Sequence, residues 1–291
     1  MKVLPMRVAH AEVVDVTDLT PGMRRVVLGG PGLADYESTG VGDEYVRVLF
    51  PRVPQERPAL PGILGSHVDY STIDVGQLRC YTVRAHEPGR VSIDVVLHEG
   101  GVAASWARQA AVGQVVVINT PVGLYDPPED IAWQVLVADH AGVPAALRIM
   151  EQSAHVRTVA VLEVPGPDYV LPTPPAAEVR WLYGGNGAAP SALENVVRAL
   201  PPSTLGEGYV WVAGETRALR PIRAYLRREL GLPATAYKIV GYWTRGAEEW
   251  RERYEALPED VRRELEAMWE SGRDEEEIED DYELRLDELG L

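Results

Sequence analysis

The sequence predicts a β-barrel joined to an α/β domain: a six-stranded antiparallel barrel, then a parallel sheet covered by helices, then a helical C-terminal extension. Three observations predict it. Residues 6 to about 125 read as short alternating strands broken by Gly and Pro turns. After Pro127 and Pro128 strands and helices alternate, the pattern of a parallel sheet with helices on both faces. Beyond Gly246 the chain turns to Glu, Arg and Leu with spaced apolar residues. The expected domains are 1–127, 128–246 and 247–291, the first boundary falling in the Pro-containing stretch from Tyr125 to Ile131.

The expected barrel strands are Met6 to Asp15, Met23 to Leu28, Glu44 to Phe50, Arg79 to Ala85, Val91 to Leu97 and Gln114 to Asn119, with one helix, Val102 to Ala111, after the strand that runs into His98. In the second domain the strands are Gln134 to Asp139, Thr158 to Val164, Val179 to Tyr183, Tyr209 to Ala213 and Tyr237 to Trp243. Helices near Val143 to Ser153, Ser191 to Ala199 and Leu219 to Leu230 lie between them. In the extension, Trp250, Tyr254, Leu257, Leu265 and Trp269 suggest helices that fray after Ser271 and Gly272.

Composition narrows the function. The 291 residues carry 44 acidic and 28 basic side chains, a formal charge of −16, which repels nucleic acid and anionic membranes. Residues 247–291 hold 19 of the acidic and 6 of the basic ones, so the remaining body is nearly balanced and can host a cationic pocket. No apolar run approaches the roughly 20 residues that span a bilayer, and the first ten residues lack the apolar core of a signal peptide. A cytoplasmic protein without membrane insertion is expected. A single cysteine, Cys80, and six histidines without a His-Glu-x-x-His pair leave no expected metal site. Cys80 is expected to be a packed thiol.

A barrel followed by a parallel sheet can hold a flavin on the barrel and a nicotinamide nucleotide at the carboxyl ends of the strands. In the strand Arg79-Cys80-Tyr81-Thr82-Val83-Arg84, one aromatic ring flanked by a guanidinium suits an isoalloxazine and a phosphate: Tyr81 stacks, Arg79 neutralises, and the backbone near Thr82 reaches the ring edge. The competing reading is a barrel strand with a surface arginine. From Asp94 through His98-Glu99-Gly100-Gly101 to Ala103-Ala104-Ser105-Trp106, a strand meets two glycines and a helix start of small residues, which leaves backbone N–H groups open to an anion. A plain turn before a packed helix is the alternative.

For the nicotinamide nucleotide, Asp139 ends the first parallel strand, the usual ligand edge, while Arg217, Arg220 and Arg223 follow Ala213-Gly214-Glu215. These arginines suit the 2′-phosphate of NADPH, or else are a solvated helix face. Gly184-Gly185-Asn186-Gly187 lacks the full dinucleotide fingerprint and reads as a loop or part of the nicotinamide cleft.

Together these motifs resemble the siderophore-interacting protein family, FAD-dependent reductases of ferric siderophores within the ferredoxin reductase-like superfamily. The matching residues are Arg79 to Arg84, His98 to Trp106, Asp139 with Pro144-Ala145-Ala146, Ala213-Gly214-Glu215 with Arg220 and Arg223, and Gly241-Tyr242-Trp243 with Gly246. The resemblance implies that Arg79, Tyr81 and Thr82 hold FAD. It places the FAD pyrophosphate and adenylate half by Asp94, His98, Gly101, Ala103, Ala104, Ser105 and Trp106. The nucleotide donor, NADPH or NADH, falls to Asp139, Arg220, Arg223, Tyr242 and Trp243. Arg47, where the family usually has lysine, and Arg245 become candidates for binding the ferric siderophore. Two departures stand out: Val102 and Ser105 replace a Pro and a basic residue, and Asn119-Thr120-Pro121-Val122-Gly123 lacks a cation usual in the family.

The implied chemistry passes a hydride from NAD(P)H to FAD and single electrons to Fe(III), whose chelators hold Fe(II) less tightly because the ionic attraction falls with charge. No side chain is needed as acid or nucleophile. A non-catalytic FAD-containing siderophore-binding or handoff protein is the alternative, and a flavin reductase serving a ferredoxin is a third. Neither the particular siderophore nor the oligomeric state is written in these motifs.

Overall fold

The computed structural model describes residues 4–201, 205, 208–273 and 275–291. The first half forms β1 (Val8–Thr20), β2 (Met23–Gly29), β3 (Tyr45–Leu49), β4 (Gly62–Leu64), β5 (His67–Asp69), β6 (Leu78–Thr82), β7 (Ala85–Glu87), β8 (Arg90–Val96), α1 (Val102–Gln109) and β9 (Val115–Asn119). Seven of these strands make an antiparallel sheet in the order β6-β3-β9-β1-β2-β8-β7. β6 pairs with β3, β7 pairs with β8, and the Arg84 amide between them donates to Ser92 O at 2.8 Å. Segment 78–87 is therefore one bent strand that changes partners midway and closes the ring, which is why six expected strands become seven. β4 and β5 form a separate hairpin between Phe50 and Arg79, where the sequence predicts no strand.

Alternation along the barrel strands turns Val26 and Leu28, Val46 and Val48, Val91, Ile93 and Val95, and Val116 and Ile118 inward. The α1 residues Ala103, Trp106 and Ala107 close one side of that core. Each such buried aliphatic side chain contributes roughly 1.5–3 kcal/mol.

The second half forms β10 (Trp133–Ala138), α2 (Val143–Gln152), β11 (Arg157–Val164), β12 (Ala177–Tyr183), α3 (Leu193–Ala199), β13 (Tyr209–Glu215), α4 (Thr216–Ala224) and β14 (Tyr237–Trp243). All strands are parallel, in the order β12-β11-β10-β13-β14. Successive β10 residues face opposite helical layers: Leu136 and Ala138 pack with α2, Val135 and Val137 with α3 and α4. The chain leaves β10 in both directions, to β11 on one side and β13 on the other. The carboxyl end of β10 is thus the topological switch point, where such sheets bind ligands.

Barrel and sheet are joined through buried polar groups that sequence reading did not single out. Asp43 accepts from the Leu124 and Tyr125 amides at 2.9 and 2.7 Å and from Trp211 Nε1 at 3.0 Å. Next to it, buried Glu44 meets Arg148 of α2 at 2.8 Å, and Arg148 also donates to the Val83 carbonyl.

The extension is α5 (Ala247–Glu255), α6 (Glu259–Trp269) and α7 (Glu275–Glu288), packed around Leu265, Leu286 and Leu291. The expected fraying after Gly272 is corrected: α7 docks on α4 and beside edge strand β14, through ion pairs from Arg220, Arg223, Arg227, Arg228 and Lys238. Apolar periodicity could not reveal this, because the contact is made by opposite charges between segments about 50 residues apart. Among the described residues no helix is long and apolar enough to cross a membrane.

Candidate functional site

On β6 the alternation works as expected, with one change. Val83 lies in the barrel core and Tyr81 packs partly against it, its ring edge-on to Phe50 with centroids 6.0 Å apart. Burial raises the Tyr81 phenol far above its usual range. Thr82 points the other way, toward the sheet domain. It is buried and faces the Tyr242 hydroxyl. Cys80, expected as a packed thiol, is exposed instead, because it sits on the outer face of the strand next to Arg47. Arg79 donates to the Gly76 and Leu78 carbonyls at 2.9 and 2.7 Å, and it forms no ion pair among the described residues.

Beyond β8, Gly100 and Gly101 both have φ of 75°, a conformation in which side chains are strained, and the space above Gly100 is open. The α1 N-terminus has no side-chain cap, so its first amides are unsatisfied by any side chain. His98 is exposed, its ring beside Gly101, and Ser105 is exposed on α1, while Ala103 and Ala104 are buried. Two other residues of the motif have structural partners. Trp106 is 3% exposed in the barrel core, packed 5.0 Å from Phe50, and Asp94 is clamped by Arg25 at 2.7 and 2.8 Å.

At the switch point, Asp139 is buried and accepts four hydrogen bonds. Oδ1 takes the Ala141 and Gly142 amides, and Oδ2 takes the Glu215 amide at 2.9 Å and Trp243 Nε1 at 2.7 Å. Burial pushes its carboxyl up to about 6 against those donors. Asp139 thereby ties the ends of β10, β13 and β14 together and fixes the Trp243 ring. Gly214 is necessary here, since a Cβ would come within 2.8 Å of Asp139 Oδ2.

Around this tie lies a cleft of about 160 Å³ lined by Asp139, Glu163, Asn186, Glu215, Trp243 and Arg245, among others. The glycine loop after β12 supplies Asn186, held at φ 53° by donating Nδ2 to the Glu163 and Gly184 carbonyls. Sequence reading gave this loop a secondary place and passed over Glu163 altogether. The signal available for Glu163 was its position at the end of the second parallel strand.

Tyr242 and Trp243 are adjacent in sequence yet serve two sides. Trp243 faces the cleft, whereas Tyr242 packs edge-on against Trp211 and brings its hydroxyl to Thr82 on the barrel. The barrel strand and the cleft therefore meet at one corner of β14. Arg47 lies on β3 over the Tyr45 and Tyr70 rings at 5.7 and 5.8 Å, outside the residues that line the cleft, whereas Arg245 lines it with Trp243.

Arg220 and Arg223 do not reach the cleft. Arg223, 2% exposed, is paired with Glu276, Glu279 and Glu283, and Arg220 with Asp287 and Glu283. Both point to α7, whose acidic residues satisfy them. Among the described residues no three His, Cys, Asp or Glu side chains cluster as a metal site.

This geometry agrees with the comparisons. Residues 12–125 match the model of the siderophore-interacting FAD-binding domain, and residues 131–246 that of the siderophore-interacting protein. The chain belongs to the siderophore-interacting protein family. It is 35% identical over 267 residues to an uncharacterised protein of Mycobacterium tuberculosis (strain H37Rv), covering 84% of this chain and 93% of that one. It is 26% identical over 246 residues to the NADPH-dependent ferric-chelate reductase of Escherichia coli K12, covering 82% and 93%. Among solved structures, a siderophore utilization protein from T. fusca superposes with a TM-score of 0.72 at 30% identity, covering 84% of this chain and 95% of that one. A ferredoxin reductase of carbazole 1,9a-dioxygenase and a phthalate dioxygenase reductase, both under 20% identical, share the barrel-plus-sheet fold.

The residues present fit a flavin. The open Gly100-Gly101 turn and the uncapped α1 amides offer polar groups without side-chain partners where the family's FAD-binding domain is matched.

Proposed function

We propose that this chain is an NAD(P)H-dependent, FAD-containing reductase that converts Fe(III) in ferric siderophores to Fe(II) in the cytoplasm. One observation carries the reading: adjacent residues of β14 link the flavin strand to the sheet's ligand edge, Tyr242 touching Thr82 and Trp243 lining the cleft. Residues 1–127 would hold the flavin, 128–246 the nucleotide, and 247–291 would buttress α4. FAD, when bound, converts the two-electron hydride of a pyridine nucleotide into the single electrons that iron accepts.

The chain's own contribution is positioning and electrostatics. Thr82 and the strand backbone hold the ring edge, Tyr81 packs beside it, and the Gly101 turn with the first α1 amides takes the pyrophosphate. Asp139 fixes Trp243 as one wall of the cleft. Arg47, braced on two tyrosine rings, offers a cation to an anionic ferric chelate, which makes iron-bound carboxylate, catecholate or hydroxamate groups the expected substrate surface.

The test is anaerobic stopped-flow mixing of the FAD-loaded protein with NADH or NADPH, followed by a ferric siderophore and a ferrous trap. Flavin bleaching, then recolouring with one ferrous trap complex per electron, is expected. No bleaching with either nucleotide contradicts the reductase, and bleaching without iron reduction points to another acceptor. If siderophore binds with no electron transfer, the protein is a handoff protein.

A further inference from the structure

In sequence the α4 arginines suit either the 2′-phosphate of NADPH or a solvated helix face, yet Arg220 and Arg223 pair with the carboxylates of α7. The cleft itself is lined by three acidic residues and one cation, Arg245. Two of the three carboxylates are satisfied. Asp139 has its four donors, and Glu215 accepts from the Ala218 and Arg245 amides at 2.8 and 3.0 Å.

Glu163 is different. It stands at the carboxyl end of β11, the strand next to β10, and is 1% exposed. Its Oε1 accepts from the Ala192 amide at 2.6 Å, while Oε2 is buried without any partner among the described residues. Gly185, with φ of 59°, packs against it: a Cβ there would fall 2.0 Å from Oε2, so no residue with a side chain fits at this edge of the cleft. A buried acceptor with no donor costs free energy until a donor arrives. In sheets of this kind an acidic residue at the end of the second strand takes a nucleotide ribose hydroxyl.

We propose that Glu163 is a specificity residue: its Oε2 accepts the adenosine 2′-hydroxyl of the donor nucleotide and selects NADH over NADPH. A 2′-phosphate would bring negative charge against this carboxylate, and Arg220 and Arg223 are already paired with α7, which leaves Arg217 as the α4 arginine that could offset it. The proposal rests on the pyridine-nucleotide reading above and adds which of the two nucleotides the cleft takes.

The test uses the FAD-loaded full chain and oxidised nucleotides, so binding is read by calorimetry without turnover. NAD⁺ should bind roughly tenfold or more tightly than NADP⁺, the scale of one charge-assisted hydrogen bond. Adenosine-2′-deoxy-NAD⁺ should lose most of that advantage. Glu163→Gln, which keeps an acceptor for the Ala192 amide but offers an NH₂ in place of Oε2, should move the NAD⁺/NADP⁺ ratio toward or below one. Should that variant misfold, the two ligand comparisons on the wild-type protein still decide. Equal or tighter NADP⁺ binding, or a 2′-deoxy analogue as tight as NAD⁺, overturns Glu163 as selector and leaves the pyridine-nucleotide reading standing. If NADP⁺ wins and Arg217→Ala abolishes its advantage, the exposed arginine at the start of α4 is the selector instead. Binding of neither nucleotide overturns both readings.

Discussion

The arginines on the barrel and those under the C-terminal extension look alike in sequence and end in opposite situations. Arg79 and Arg47 make no ion pair among the described residues: one donates to the Gly76 and Leu78 carbonyls, the other lies over two tyrosine rings. Arg148, Arg220 and Arg223 are consumed by carboxylates. A cation already neutralised in a buried site is a stability element, since removing it strands a charge; an open one remains for an anionic ligand. We propose that this difference separates residues that hold the protein together from residues that bind its ligands.

The largest effect should come from the deepest pair. Arg148→Leu leaves Glu44 buried and uncompensated at the junction of barrel and sheet, so urea unfolding should report a loss of about 3–5 kcal/mol. A loss under about 1 kcal/mol would mean the pair is a surface-like contact. Arg223→Ala should act more locally, accelerating amide exchange across 275–288 about tenfold or more while the barrel strands keep wild-type protection. Uniform acceleration along the whole chain would show that α7 and the two domains unfold as one unit.

A pH effect follows from His140, at the barrel-facing side of the sheet. It is 3% exposed, edge-on to Tyr169, and burial lowers its pKa from 6.5 to about 4. The unfolded chain binds this proton more readily, so the contribution is whole above pH 6.5 and is lost as pH falls toward 4. Melting temperatures of wild type and His140→Gln, measured between pH 7.5 and 4, should converge on acidification. A constant gap would place the imidazole in water.

Much of the fold was legible because alternation and turn residues are local signals. β14 (Tyr237–Trp243) has the expected bounds, and α1 and α2 start at the expected residues. The partner change at Val83-Arg84 and the β4–β5 hairpin were not legible, since both depend on which distant strand lies alongside. The site was legible in part. The Arg79 to Thr82 strand and the Gly100-Gly101 turn carry their chemistry in residue type; the turn is open in the structure, whereas Thr82 is buried and Tyr81 packs against the barrel core. Asp43, Glu44, Arg148 and Glu163 carry theirs in burial and in partners from other segments. The acidic tail was legible as charge but not as a partner of α4, because an ion-pair interface has no apolar period.

One measurement tests the division between open and consumed arginines most directly: the melting temperature of Arg79→Ala and Arg223→Ala, each without and with saturating FAD. A ligand stabilises only the folded state it binds, so the FAD-induced rise reports its affinity. Arg79→Ala should keep the wild-type melting temperature without FAD and lose most of the rise. Arg223→Ala should melt lower without FAD and keep the full rise. The reverse pattern, with Arg79→Ala unfolding early and Arg223→Ala losing FAD, would contradict the account.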